Sequence, residues 1–298
     1  MGKLSKVTKY WQHLRSLQIF DFSKTWILLF IICLVTIAGC SVFAPKNSIN
    51  SVHLTLGNPS VANNTDANNY LMVKKQYALS YNRDKGIPNW VSWELNKSWL
   101  GEAPRSNNFR PDDTISEGWY RVTPNDYTRS GYDKGHMTPS ADRTDSVEDN
   151  AATFLMSNII PQAPDNNQGY WANLENYTRK LAAEGKELYI MSGGYGEKER
   201  IAKGKVSVPN RVFKIIVVTE PGKGINSINA STRVIAVDTP NINGNKDSDW
   251  TQYITTVDAI EDNTDYNFLS NVNSSIQNAI ESKIDKPVKA NKVLVPSR

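Results

Sequence analysis

His136 stands in the stretch "SGYDKGHMTPSADR", residues 130–143, directly behind Asp133, Lys134 and Gly135. Of the chain's three histidines, His13 lies in a basic N-terminal segment and His53 in a polar stretch, so His136 reads as the single imidazole of the folded domain. One imidazole, with Cys33 and Cys40 both near the N-terminus, excludes a multi-histidine or thiolate zinc site. What remains is a histidine that works as a base or one that is structural. Its neighbours favour the first reading. Gly135 permits a close backbone approach and Pro139 fixes the following turn. Arg105, Arg110, Arg121, Arg129 and Arg143, five of the chain's twelve arginines, fall within 39 residues. Guanidinium forks match phosphate oxygens. A neutral imidazole beside several cations therefore points to phosphodiester chemistry, in which water is deprotonated next to a charged phosphate.

That chemistry gains from a hard cation, because the leaving alkoxide and the crowded phosphorus both carry negative charge. Hard cations take oxygen ligands. The segment "FLMSNIIPQAPDNNQGYWANLENYTRKL", residues 154–181, offers Asn158, Asp165, Asn166, Asn167, Asn173 and Glu175. A helix starting after Asn167 puts that residue at its start and places Trp171, Glu175 and Arg179 at intervals of four along one face. Glu175 and Arg179 are then spaced to pair. The alternative is an ordinary turn with an asparagine helix cap, and the residues by themselves leave both open.

The elements that must hold these residues are mostly strands. "YLMVKKQYALSYN" and "IPNWVSWELN" are rich in β-branched and aromatic residues and are separated by "RDKG", a hairpin signature. "KELYIMSGG", "VSVPNRVFKIIVVTE" and "TRVIAVDTP" add further strand-like runs. Trp90, Trp93 and Trp99 at this spacing read as core in preference to a base-stacking platform. Helices are expected in "SVEDNAATFLMSN", behind an Asp145 or Ser146 cap, in "QGYWANLENYTRKLAAEG" and in "SSIQNAIESK". Many strands, few helices and no βαβ alternation predict an α+β fold with a mainly antiparallel central sheet and flanking helices.

Organisation along the chain is uneven. The 298 residues carry a formal charge of +4, all of it in residues 1–39, where five basic side chains face Asp21 alone. The remainder balances 29 basic against 29 acidic groups, so any polyanion must be met by a local patch. Residues 1–39 read as a signal peptide whose apolar run, Trp26 to Gly39, is shorter than the roughly 20 residues of a spanning helix. "IAGC", ending at Cys40, is similar to a bacterial lipobox, which would make the protein an exported lipoprotein anchored in the cell envelope at Cys40. A signal anchor that stays uncleaved, or release from the cell, is the alternative. Residues 40–67, rich in Asn, Ser and Pro, read as a tether, residues 68–285 as the working domain and residues 286–298 as a tail.

At this point "YDKGHMTPSADR" followed by "FLMSNIIPQAPDNNQGYWANLENYTRKL", with "YALSYN", "PNWVSW", "LNKSW", "FRPD" and "SADRT", resembles the DNA/RNA non-specific endonuclease family. These are ββα-metal (His-Me finger) nucleases, and the likeness is strongest to the sugar-nonspecific nucleases that cyanobacteria secrete. It covers about residues 68–285. The resemblance implies an endonuclease that cuts single- and double-stranded DNA and RNA to 5′-phosphate ends with Mg²⁺, Mn²⁺ being able to substitute. It implies His136 as general base, Asn167 as the direct metal ligand and Glu175 as the carboxylate that holds the metal's waters. Arg105 and Arg179 match arginines that contact the phosphate, Arg110 is a weaker match for the first of them, and Asp133 orders the turn. Where the family has arginine this chain has Lys134, which brings a point charge to the phosphate without the planar fork. The implied partners are DNA and RNA, a membrane through the N-terminal anchor, and a dedicated protein inhibitor of the kind some family members have. A competing function from another class is a non-catalytic surface lipoprotein that captures extracellular DNA.

Overall fold

A computed structural model describes residues 51–286; the signal segment, Cys40 and nearly all of the expected tail lie outside the described residues. Strands β1 (Tyr70–Val73), β2 (Ala78–Asn82) and β3 (Ile87–Leu95) form an antiparallel meander. The expected single run over "YLMVKKQYALSYN" is thus two strands, turned where the Lys74 N–H donates to the Tyr77 carbonyl. Gly86 closes the "RDKG" turn at φ +65°, and a Cβ there would stand 2.5 Å from the Lys205 carbonyl oxygen. Only glycine fits that approach.

Next come β4 (Asp133–His136), β5 (Ile159–Gln162), β6 (Glu187–Tyr195), β7 (Glu199–Ile201), β8 (Val206–Val208), β9 (Arg211–Thr219), β10 (Arg233–Pro240) and β11 (Ile254–Thr255). Seven of them make one antiparallel sheet in the order β1-β2-β3-β6-β9-β10-β11, while β4-β5 and β7-β8 are separate hairpins. The helices are α1 (Val147–Ala152), capped by Ser146, α2 (Pro164–Gln168), α3 (Tyr170–Ala183), α4 (Val257–Thr264) and α5 (Ser274–Glu281). The α+β architecture expected from the strand-rich pattern is the one observed. No helix among the described residues is long and apolar enough to cross a membrane.

Alternation along the strands sends side chains to two faces. Val91, Trp93, Leu188, Ile190, Val212 and Ile216 meet Met137, Ile159, Trp171 and Leu174 on one side. Trp90, Met191, Phe213 and Ile215 meet Leu54, Leu56, Val257, Ile260 and Phe268 on the other. The sheet is therefore a two-sided core, with the β4–β5 hairpin and α3 layered on its first face. Trp90 and Trp93 are core as expected, and Trp99 is half-buried against it.

Residues 51–67 overturn the tether. Leu54, Leu56 and Ala62 are buried in the second face, and the Trp90 indole N–H donates to Ser60 Oγ at 2.8 Å. The asparagines that suggested a flexible linker instead make local turns: Asn58 bonds both the N–H and the carbonyl of Ala62, and Asn63 Oδ1 accepts from the N–H groups of Thr65 and Asp66. His53 comes with them. It is 3% exposed, with Nε2–H donating to the Lys75 carbonyl at 2.7 Å and Nδ1 accepting from the Glu94 N–H at 3.1 Å. The folded domain thus holds two imidazoles, and burial, helped by the charge of Arg143, holds that of His53 down to about 4. Both of its ring nitrogens are occupied by backbone, which leaves it no chemistry.

Candidate active site

The β4–β5 hairpin carries His136. Register pairs Asp133 with Gln162 and His136 with Ile159, so Lys134 and His136 share one face and Asp133 and Gly135 the other. Gly135 lies against Gln162, whose Oε1 would be 2.2 Å from a Cβ at that position. The hairpin is clamped at its end by Asn158, which accepts from the Thr138 N–H and donates to the carbonyls of Thr138 and Thr153.

The His136 ring sits against Phe109 at 5.2 Å and edge-on to Phe154 at 4.8 Å. Its Nε2 is shielded and has no hydrogen-bond partner among the described residues. Burial, with the nearby Arg105 charge adding to it, holds the imidazole down to about 3, so it is neutral at physiological pH. Lys134 Nζ lies 5.0 Å from the centre of the same Phe109 ring. Arg105 packs over Phe154 at 5.0 Å, donates through Nε to Asn107 Oδ1 at 2.8 Å and through Nη1 to Ser140 Oγ. Burial lowers its affinity for the proton while the charge of Glu175 supports it, so Arg105 is coupled to both His136 and Glu175.

The other arginines of the expected cluster are occupied elsewhere or lie at the surface. Arg143 is fully buried and donates to the carbonyls of Gln76, Asp142 and Glu94 under the Trp99 ring. Arg110 donates to the carbonyls of Ala151 and Asn108, and Arg121 to that of Ile115. Arg129 is exposed in a left-handed turn at φ +59°. Five clustered arginines in sequence thus leave one, Arg105, electrostatically coupled to the imidazole.

The oxygen donors sort the same way. Asn158 and Asn166 are fully buried and spend their amides on the scaffold, Asn166 donating to Tyr170, Thr239 and Pro240. Asp165 Oδ2 accepts from the Gly244 N–H, and Asn173 is exposed. The helix expected after Asn167 is observed as α3, but Asn167 is not at its entrance: it sits inside α2, an additional short helix that a break at Gly169 separates from α3. Its Nδ2 donates to Asp133 Oδ2 at 2.9 Å, and Gln168 donates to the same oxygen at 2.8 Å. Because the Asp133 carboxylate can only accept, it orients the Asn167 carboxamide with Oδ1 turned away from it, and that oxygen accepts no hydrogen bond among the described residues. A half-buried carboxamide with a free, oriented oxygen is a ligand that suits a hard cation.

Along α3, Glu175 and Arg179 do not pair. Glu175 Oε1 accepts from Lys214 Nζ at 3.3 Å, and Arg179 Nη1 donates to Asp142 Oδ1 at 3.0 Å. Asp142 in turn accepts from the Trp93 indole at 3.0 Å. Lys214 and Asp142 were missed in the sequence, although a lysine inside the apolar run "RVFKIIVV" was a visible anomaly. A separate acidic trio, Asp258, Glu261 and Glu281, belongs to α4 and α5, which pack on the opposite face of the sheet.

With this geometry in place, likeness to known proteins decides the family. The family model for DNA/RNA non-specific endonucleases matches residues 56–275. The chain belongs to the DNA/RNA non-specific endonuclease family. Its activity is accordingly that of a non-specific endonuclease. It is 58% identical over 238 residues to a protein named "Nuclease" from Nostoc sp., covering 79% of this chain and 86% of that one. It is 36% identical to the mitochondrial nuclease EXOG of Homo sapiens, across 49% of this chain and 45% of that protein. With the mitochondrial endonuclease G of Homo sapiens it shares 31% identity, across 51% and 56% of the two chains. A crystal structure of an EndoG/EndoGI complex superposes with a TM-score of 0.64 over 76% of this chain and 95% of the other, at 22% identity, which speaks for the fold.

Proposed function

We propose that the endonuclease cleaves phosphodiesters of DNA and RNA by water attack, with His136 as general base. The observation that carries this reading is a neutral His136 imidazole packed, with Arg105, against the Phe154 ring. A neutral imidazole can accept a proton from water, and a protonated one cannot. Arg105 and Lys134, both near the aromatic slot that holds His136, supply positive charge to the phosphate oxygens. Arg179, fixed by Asp142, adds a third cation from α3. Asn167 Oδ1 would hold a divalent cation, Mg²⁺ or in its place Mn²⁺, with Glu175 ordering its waters. When bound, that ion supplies charge stabilisation to the departing 3′ oxygen. The products are 5′-phosphate ends. Recognition through phosphate contacts, with no 2′-hydroxyl required, fits a substrate range that includes both nucleic acids, and affinity should fall with salt.

Plasmid and RNA incubated with Mg²⁺, with and without chelator, test this beside His136→Ala and Asn167→Ala. Both variants should stay folded and lose at least about a hundredfold in kcat. Wild-type protein that binds plasmid without cutting it would overturn the reading in favour of DNA capture. The depressed imidazole also places the acid limb of kcat/KM for the free enzyme below pH 6.5, the ordinary histidine value. A limb centred at or above that value would contradict the site geometry.

Export and a lipid anchor at Cys40 belong to the same proposal and are supported by the sequence of the N-terminal segment. Metabolic labelling with a fatty acid, compared with Cys40→Ser, tests them. A protein inhibitor that covers the site is proposed by analogy with the EndoG/EndoGI complex.

A further inference from the structure

Lys214 is the most deeply buried ammonium among the described residues, 1% exposed in the middle of β9. It pairs in register with Ser192 of β6 and Val237 of β10, so the chain on either side of it is fully engaged in the sheet. Alternation directs it to the same face as Val212 and Ile216, under α3. There Nζ lies 4.3 Å from the centre of the Trp171 ring and 5.7 Å from that of Trp93. Among the described residues, Nζ makes one hydrogen bond, to Glu175 Oε1. Stripping an ammonium of water is costly, and an apolar residue of similar length would fill the slot between two indoles without that cost. Stability alone does not explain a lysine here.

What the lysine does is visible on α3. Glu175 and Arg179 stand at i and i+4, the spacing at which a carboxylate and a guanidinium pair across one helical turn. They are held apart because each is drawn to a counter-charge from another element: Arg179 to Asp142, and Glu175 to Lys214. With Oε1 tied to the sheet below, Glu175 Oε2 accepts no hydrogen bond among the described residues. Glu175 is 16% exposed, and its charge is coupled to that of Arg105.

We propose that Lys214 is a positioning residue for the nuclease reaction: it anchors Glu175 from beneath, prevents its collapse onto Arg179, and leaves one carboxylate oxygen directed to the metal's waters. The inference rests on the reading of Glu175 given above and names the residue that makes that reading work. The partner of a carboxylate that orders metal waters typically matters about 10- to 100-fold.

Two measurements on the full chain test it. Lys214→Met should weaken Mn²⁺ binding to the protein without nucleic acid, and unchanged affinity would count against the inference; the second is a double-mutant cycle of kcat with Mg²⁺ and a defined DNA duplex. Lys214→Met should lower kcat at least about tenfold while leaving KM for DNA near the wild-type value. In a Glu175→Gln background the same change should cost little more, because its effect passes through Glu175. Lys214→Gln, which keeps an N–H donor toward Glu175, should retain more activity than Lys214→Met, and it serves in the cycle if the methionine variant does not fold. Equal fractional losses in both backgrounds would mean that Lys214 only supports the fold, and would overturn the inference. Wild-type kcat in Glu175→Gln alone would overturn the reading of Glu175 itself.

Discussion

At the scale of single residues, the site is a set of charges whose partners matter more than their types. The His136 ring accepts no hydrogen bond among the described residues, whereas His53, chemically identical, has both ring nitrogens taken by backbone. Lys134 stands where the resemblance to the family leads one to expect arginine. It shares the Phe109 ring with His136. A planar guanidinium would keep the contact with that ring and add a second N–H toward phosphate. Lys134→Arg is therefore expected to raise kcat/KM on DNA several-fold, worth about 1 kcal/mol of transition-state binding. Steady-state kinetics on one duplex check it, and a fall in activity would show that the lysine is tuned to its place.

At the scale of elements, the β4–β5 hairpin does the positioning and depends on a glycine. Gly135→Ala would push a methyl group into the Gln162 side chain and force the strands apart. We expect a loss of about 1–3 kcal/mol in urea unfolding, with kcat falling as His136 shifts. Wild-type stability would mean that Gln162 simply swings aside. The segment 51–67 makes the opposite point, since its polar composition hides three core residues. Leu56→Ala should cost about 2–5 kcal/mol, and a tether would cost nothing. Helices α2 and α3 explain why "DNNQG" resisted a local reading. Gly169 breaks the helix where a Cβ would meet the Lys246 carbonyl at 2.3 Å, a contact from a distant loop.

At the scale of the whole molecule, two imidazoles of lowered proton affinity, buried His53 and half-buried His136, link folding to pH. In the folded state His53 and His136 are depressed to about 4 and about 3, against about 6.5 in the unfolded chain. Above pH 6.5 both are neutral in either state and stability is at its full value. As pH falls below that, the unfolded chain takes up protons that the folded one refuses, and stability declines down to the folded values. The loss by pH 5 is about 2 kcal/mol for each imidazole. Thermal unfolding measured between pH 7.5 and 4.5 should show a steadily falling midpoint, and a level profile would contradict the burial of these rings.

Much of this was settled by the order of residues alone. Strand periodicity, the hairpin turn, the α+β class and the family motif were legible because they depend on neighbours within about ten positions. The site was only half legible. Six oxygen donors and five arginines look equivalent in a string, yet Asn158, Asn166, Arg110 and Arg143 end up bonded to backbone, while Asn167 and Arg105 do not. Which side chain is left free depends on what a remote strand or loop brings against it, and that contact carries no local signal. Lys214 marks the boundary most sharply: its charge within an apolar strand could be seen in the sequence, but its partner, 39 residues away on α3, was decided by the sheet packing beneath the helix.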